Sequence, residues 1–443
     1  MSTARRLART ALLCSLPLLP SCGTLGLSSS AQNAGQTPPN APNATAPGVR
    51  VANQHNAGHP AAQHQTSTKQ PPANQTAQPG VAHARDAAAP TDDFPADLEP
   101  PSQVSVSRVS FAEEGADFDP AISRDGTHIV FASTQHRRTS DIYLKRVDSR
   151  VVTQLTTDPA DDEMPALSPD GNWIAFASNR SGNWDIYVMP ATGGQAMLIA
   201  GEPEDEIAPS WSPDGSRLVY SRRGMSSGRW EMWAANVSNP TTPVFLGYGL
   251  FPKWSPVAGT GVDGGDRILF QLPRERGRRG FGLWTIDLKD GVASHPTEIV
   301  GSATRAFINP AWSPDGRWIV FAEIDAPADG QWRRGARPSA ASLWMVGAHG
   351  DGRVRLTSGL GVNLSPTWGP GDRLFFVSDR AGADNIWAMD LAPAIRAASA
   401  GSAPTPPAAT LRNARTTTQP ATGNRADNKP VANVVEHGTI DPR

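Results

Sequence analysis

The chain has 443 residues with a formal charge of −2, so it lacks the overall basic excess that marks nucleic-acid binders. Its two cysteines, Cys14 and Cys22, both precede Gly23, which excludes a disulfide framework in the rest of the chain. All 13 Trp lie between Trp173 and Trp387, and Phe94 is the one Phe, Tyr or Trp before Phe111, so only about 290 central residues can build a packed core.

Residues 1–22 read as a lipoprotein-type signal peptide. Arg5, Arg6 and Arg9 form a positive n-region, and Ala11 to Leu19 is apolar but too short to span a bilayer. Leu19-Pro-Ser-Cys22 resembles the lipobox of bacterial lipoproteins, which implies a lipidated Cys22 and a durable membrane anchor. Gly23 after that cysteine implies sorting to the outer membrane. The competing reading is cleavage near Ser29-Ser-Ala31, which would release a soluble periplasmic or secreted protein. Residues 23–101 are rich in Ala, Pro, Asn and Gln and are expected to form a disordered tether. Residues 394–443 have the same character and are expected to be a disordered tail.

Between these ends one phrase recurs. It reads Pro120-Ala-Ile-Ser-Arg-Asp-Gly126, Pro165-Ala-Leu-Ser-Pro-Asp-Gly171, Pro209-Ser-Trp-Ser-Pro-Asp-Gly215, Pro252-Lys-Trp-Ser-Pro256, Pro310-Ala-Trp-Ser-Pro-Asp-Gly316 and Pro366-Thr-Trp-Gly-Pro-Gly371. Successive anchor prolines follow one another at blade-sized intervals, shorter over the first three steps and longer over the last two. A repeat of about 40–50 residues built from short strands marks a β-propeller blade. In the second unit, strands are predicted over 164–168, 173–177, 185–189 and 196–200, with turns at Pro169-Asp-Gly171 and Asn179-Arg-Ser-Gly182.

The expected fold is therefore all-β: a six-bladed propeller of four-stranded antiparallel blades over residues 102–393. Ile122, Leu167, Trp211, Trp254, Trp312 and Trp368 should pack between blades. Aromatic residues recur on the second strand (Phe131, Phe176, Tyr220, Phe270, Phe321, Phe376) and on the third (Tyr143, Tyr187, Trp233, Trp284, Trp344, Trp387). Their regular placement predicts packing rather than ligand stacking. The sixth unit lacks a fourth strand, while Val104 to Ser110 precedes the first unit where such a strand belongs. That N-terminal strand should close the ring.

The Pro-x-Trp-Ser-Pro-Asp-Gly phrase with a later Asp-Ile-Tyr resembles the propeller repeats of the TolB family, over residues 104–393. TolB carries an α/β domain ahead of its propeller; here a tether stands in that place. The resemblance implies a non-catalytic role in the cell envelope, close to peptidoglycan and docked on a peptidoglycan-associated lipoprotein or a Tol-Pal-type complex. It assigns no binding residue.

In a four-stranded meander, the hairpins joining strands two and three share a face with the connections between blades. Charge on that face is sorted. Three connections are acidic: Glu113, Glu114 and Asp117 with Asp119; Asp161, Asp162 and Glu163 with Asp158; and Glu202, Glu204, Asp205 and Glu206. Two later hairpins are basic, with Arg274, Arg276, Arg278 and Arg279 in one and Arg333, Arg334 and Arg337 in the other. The second of these is lengthened: the stretch from Phe321 to Trp344 is about twice as long as that from Phe176 to Tyr187. A two-signed face could orient a protein partner, or simply keep the protein soluble.

Enzymatic and metal motifs are weak. Gly224-Met-Ser-Ser-Gly228 matches the nucleophile-elbow pattern but falls in a β-hairpin, where that elbow does not form. His128, His136, His295 and His349 occupy unrelated repeat positions, and the acidic loops lack EF-hand spacing. No catalytic residue, metal or cofactor is expected. The leading expectation is an envelope scaffold that binds a protein, anchored to the membrane at Cys22. The alternative is a propeller that binds or cleaves an envelope polysaccharide at its channel mouth. Carboxylates or histidines from several blades converging on that mouth would favour the alternative.

Overall fold

The computed structural model describes residues 105–274, 280–326, 337–359 and 361–401. The signal peptide, Cys22, the tether and the tail beyond 401 lie outside the described residues. Among the described residues, 24 strands form six four-stranded antiparallel sheets. Blade 1 holds β2 (Asp117–Ile122), β3 (His128–Ser133), β4 (Asp141–Arg146) and β5 (Val152–Gln154). Blade 2 holds β6 (Asp162–Leu167), β7 (Trp173–Ser178), β8 (Asp185–Pro190) and β9 (Met197–Ala200). Blade 3 holds β10 (Glu206–Trp211), β11 (Arg217–Arg223), β12 (Trp230–Asn236) and β13 (Val244–Tyr248). Blade 4 holds β14 (Leu250–Trp254), β15 (Asp266–Pro273), β16 (Phe281–Lys289) and β17 (Val292–Val300). Blade 5 holds β18 (Arg305–Trp312), β19 (Trp318–Asp325), β20 (Ser342–Gly347) and β21 (Val354–Arg355). Blade 6 holds β22 (Asn363–Gly369), β23 (Arg373–Ser378) and β24 (Asn385–Asp390), completed by β1 (Val106–Arg108).

Strand β1 pairs antiparallel with β24, Val106 opposite Met389 and Arg108 opposite Trp387. The first and last parts of the propeller are thus hydrogen-bonded into one sheet, and no edge strand is left open at the closure. The innermost strands pack each on the next around the ring, ending with β2 against β22.

The repeated phrase has a physical explanation at each position. In every innermost strand the register slips by one residue at the anchor proline. Two residues there, such as Met164 and Pro165, oppose a single aromatic on the next strand, here Phe176. Proline cannot donate to the ladder, and a bulge is where a strand tolerates it. The residue before it takes a left-handed backbone: Asp119, Met164, Ala208, Phe251, Asn309 and Ser365 all have φ between 45° and 56°. The aromatic facing each bulge in turn pairs with the aromatic of the third strand, as Phe176 does with Tyr187 and Phe376 with Trp387. Arginines cover several of these pairs, among them Arg180 at 4.7 Å from the Tyr187 ring and Arg222 at 3.6 Å from Trp233.

The Asp-Gly turn is also accounted for. Asp170 Oδ1 accepts from Ser168 Oγ (2.5 Å) and from the Asn172 N–H (3.1 Å), while Ser168 Oγ accepts the Trp173 N–H (2.9 Å). The same bonds recur at Asp125, Asp214 and Asp315. Gly171 completes the turn at φ 74°.

One boundary differs from expectation. The chain does not lose structure at Ala394: α1 runs from Ala392 to Gly401. The run is alanine-rich, which favours helix, and Asp390 Oδ1 accepts the Ala392 N–H at its start. Ala394 and Ala398 are buried in the same apolar cluster as Val354, Leu356 and Val362.

Candidate functional site

The hairpins and the blade connections do share one face. Asn183, in the hairpin of blade 2, donates to the carbonyls of Glu202 (2.9 Å) and Glu204 (2.8 Å) in the connection that follows. Asp384, in the hairpin of blade 6, accepts through its carbonyl the Asp117 N–H of blade 1 (3.0 Å).

The acidic residues on that face divide into three kinds. Glu113, Glu114 and Glu202 are exposed and Glu204 half-exposed. Asp161 and Asp205 hold the loops: Asp161 Oδ1 accepts the Ser140 N–H (3.0 Å) and Asp205 Oδ1 the Trp184 N–H (3.1 Å). The other four do not belong to a solvated rim. Asp117, Asp162, Glu163 and Glu206 are buried. They begin the innermost strands rather than ending the loops, so their side chains turn into the seams between blades. The sequence alone does not separate these kinds, because burial within an acidic run depends on where the first ladder bond forms.

The basic half of the face is also changed. Arg274 pairs with Glu298 (3.1 Å), and Arg337 pairs with Asp379 (3.0 Å) and with Asp384. Both side chains therefore tie parts of the propeller together. Arg276, Arg278, Arg279, Arg333 and Arg334 lie outside the described residues.

Two seams bury carboxyls face to face. Asp141 of blade 1 lies near Asp162 of blade 2, and Asp185 of blade 2 near Glu206 of blade 3. Burial first, and then the neighbouring charge, pushes Asp141 up to about 6 and Glu206 up to about 9. Arg180 partly balances the first seam, lying 2.9 Å from Asp162 and 2.9 Å from Asp158.

A different set of groups meets where the innermost strands of neighbouring blades adjoin, and sequence reasoning missed it. The residues before the anchor prolines include Asp119, Asn309 and Ser365, from blades 1, 5 and 6. Ser365 Oγ donates to Asp119 Oδ1 (3.2 Å), and the Met164 N–H also donates to the Asp119 carboxylate. Glu163, next to Met164, is close enough for the Asp119 charge to act on it. Burial and that charge push Glu163 up to about 8, and burial pushes Asp119 up to about 6. Lys253, from blade 4 on the opposite side of the ring, feels the Asp119 charge too, while burial lowers its pKa. Asp119, Lys253 and Asn309 are partly buried in innermost strands, and the Asp119 Oδ2 and Asn309 Oδ1 atoms are buried. The signal available in the sequence was the column just before each proline, where Asp119, Asn309 and Ser365 stand beside Met164, Ala208 and Phe251. Among the described residues, no group of three His, Cys, Asp or Glu is arranged to hold a metal ion.

Residues 102–256 match the family model described as the TolB beta propeller domain. Similar solved structures include a protein assigned as TolB from Agrobacterium tumefaciens, at 19% identity, covering 64% of this chain and 96% of that one with a TM-score of 0.48. TolB from Acinetobacter baumannii is 18% identical, with 57% of each chain covered and a TM-score of 0.42. An oligogalacturonate lyase from Vibrio parahaemolyticus is 13% identical, with 66% and 95% covered and a TM-score of 0.45. The chain is a six-bladed β-propeller whose β1, first three blades and leading strand of blade 4 fall within the match to the TolB beta propeller domain.

Proposed function

We propose that this protein is a non-catalytic binding scaffold of the bacterial cell envelope, docking a protein partner on the face that carries the hairpins and blade connections. The observation that carries this reading is the set of acidic side chains left over once the seams are satisfied. The side chains of Glu113, Glu114 and Glu204 meet no donor or cation among the described residues, and Glu202 has only Arg222 at 3.9 Å. Loops on a rigid ring that present unused charge suit recognition of an oppositely charged surface. The match of residues 102–256 to the TolB beta propeller domain supports an envelope setting. The occupant we propose is a peptidoglycan-associated lipoprotein or another member of a Tol-Pal-type complex, meeting the rim with a basic patch. Lipidation of Cys22, with the propeller tethered in the periplasm at the outer membrane, belongs to the same proposal.

The test is mild crosslinking in intact cells followed by mass spectrometry, on the native protein and on a variant carrying Glu113→Lys, Glu114→Lys, Glu202→Lys and Glu204→Lys. Recovery of one defined envelope protein, lost in the variant, supports the reading. Recovery of glycan fragments without protein, or equal capture by both forms, overturns it.

A further inference from the structure

On the outermost strand of each blade, one residue faces the preceding blade and its neighbour faces the following one. At the outer mouth between blades 2 and 3 the two facing residues are Met197, opposite Val188, and Phe245, opposite Trp233. Val188 and Trp233 pack on one apolar cluster, so Met197 and Phe245 continue that seam outward from its two walls. They remain 48% and 38% exposed. Phe245 rests against Trp233 (ring centroids 5.4 Å) and Tyr248 (5.7 Å), which fixes its ring. Each of the other five mouths has a polar residue on at least one wall, in order Thr153, Glu298, Thr297, Arg108 and Ser107. Strands β9 and β13 end their sheets, so among the described residues nothing pairs with these two edges. Blade 5 shows how the fold treats an apolar residue at this position. Its Val354 is buried, in one cluster with Ala394 and Ala398 of α1.

We propose that the mouth between blades 2 and 3 is the docking site of residues 431–440 of this same chain. Beyond Gly401 the Val, Leu and Ile residues are Leu411, Val431, Val434, Val435 and Ile440, so all but Leu411 fall in that one stretch. Apolar side chains gathered in this way gain by leaving water together with Met197 and Phe245. The stretch is long enough to arrive there. Four strands at about 4.8 Å place an outer edge on the order of 20 Å from the axis, and residues 402–430 span at most about 100 Å. The run that supplies α1 to blade 5 thus goes on to supply a second cover, for blades 2 and 3. Such a cover also shields two sheet edges that would otherwise invite pairing with other chains. The mouth lies on the outer rim, apart from the acidic face, and does not depend on the protein partner proposed there.

Photocrosslinking within the purified full chain tests the assignment. Val434 is replaced by benzoylphenylalanine, and an equal mixture of heavy-isotope and normal chains is irradiated and mapped by mass spectrometry. Most crosslinks should join residue 434 to β9 or β13 of the same chain. The double variant Met197→Ser, Phe245→Ser should lose most of that yield, with circular dichroism confirming the folded ring. Both side chains are exposed, so the ring should tolerate the changes. Should the double variant fail to fold, the crosslink map of the parent chain decides. Crosslinks spread evenly over the six blades, or a yield unchanged in the folded double variant, would overturn the proposal. Crosslinks joining heavy to normal chains would overturn it too, since the occupant would then be a second copy.

Discussion

Glu206 of the third blade lies against Asp185 of the second, and both carboxyls are buried. Glu206 Oε1 has no donor of its own, and a proton held by the pair lets one carboxyl donate to the other. The seam between these blades is therefore built for the protonated state. Glu206 has a folded pKa of about 9, raised from 4.5. A raised folded pKa gives stability that is complete below about pH 4.5 and is lost as pH rises through about 9. Glu206→Gln keeps the donor and removes the titration. We expect it to stabilise the propeller by on the order of 1–3 kcal/mol at pH 8, and to flatten the decline of stability between pH 5 and 9. Urea denaturation at a series of pH values reads this directly; parallel curves for the two proteins would contradict it.

Ring closure depends on a short strand. Besides its ladder with β24, the N-terminal segment buries Val109, whose carbonyl accepts the Lys145 ammonium of blade 1 (2.5 Å). Deleting residues 105–111 opens blade 6 and strips that lysine of its acceptor. The shortened protein should unfold cooperatively at a melting temperature lower by about 8 °C or more, if it folds at all. A calorimetric melt unchanged by the deletion would show that the closure is dispensable.

The four tryptophans after the anchor prolines are not equivalent. Trp312 Nε1 donates to the Lys253 carbonyl of the preceding blade (2.9 Å), and Trp211 Nε1 does the same to Ala166 (2.9 Å). Trp254 and Trp368 are buried to a similar degree with their indole N–H unpaired. Trp312→Phe should therefore cost about 1 kcal/mol more than Trp368→Phe, the worth of one inter-blade hydrogen bond. Equal losses in chemical denaturation would remove that bond from the account.

Arg337, which precedes β20 of blade 5, pairs with Asp379 and the buried Asp384 of blade 6. Arg337→Met leaves the Asp384 carboxylate buried without this cation. A loss of about 3 kcal/mol is expected, recovered in part by the double variant with Asp384→Asn. A loss by urea denaturation no larger than that of an ordinary surface substitution, about 0.5 kcal/mol, would instead mark Arg337 as available to a partner.

Much of the architecture could be read from the chain directly. Six prolines at blade-sized intervals, four of them followed by a turn that needs Asp and Gly, specify six repeated meanders. A missing last strand, together with a spare first one, specifies how they close. These features are legible because turn chemistry and strand alternation act over a few neighbouring residues. The acidic runs were less legible. In Asp161-Asp-Glu163, the first carboxylate holds a loop, while the next two are buried, Asp162 beside Arg180 and Glu163 accepting from Ser140 Oγ (2.9 Å). Neighbours in sequence separate in this way because the ladder starts within the run, with Asp162 opposite Ser178 and Glu163 opposite Ala177.

The identity of the repeats, their number and their order were determined by the sequence alone. Which charges are spent inside the protein, and the bond from Ser365 to Asp119, were decided only by the tertiary structure. Those two residues come from blades 6 and 1, and only closure of the ring brings them together. Desolvation and charge in the seams are collective properties of neighbouring blades, which no local run of residues encodes.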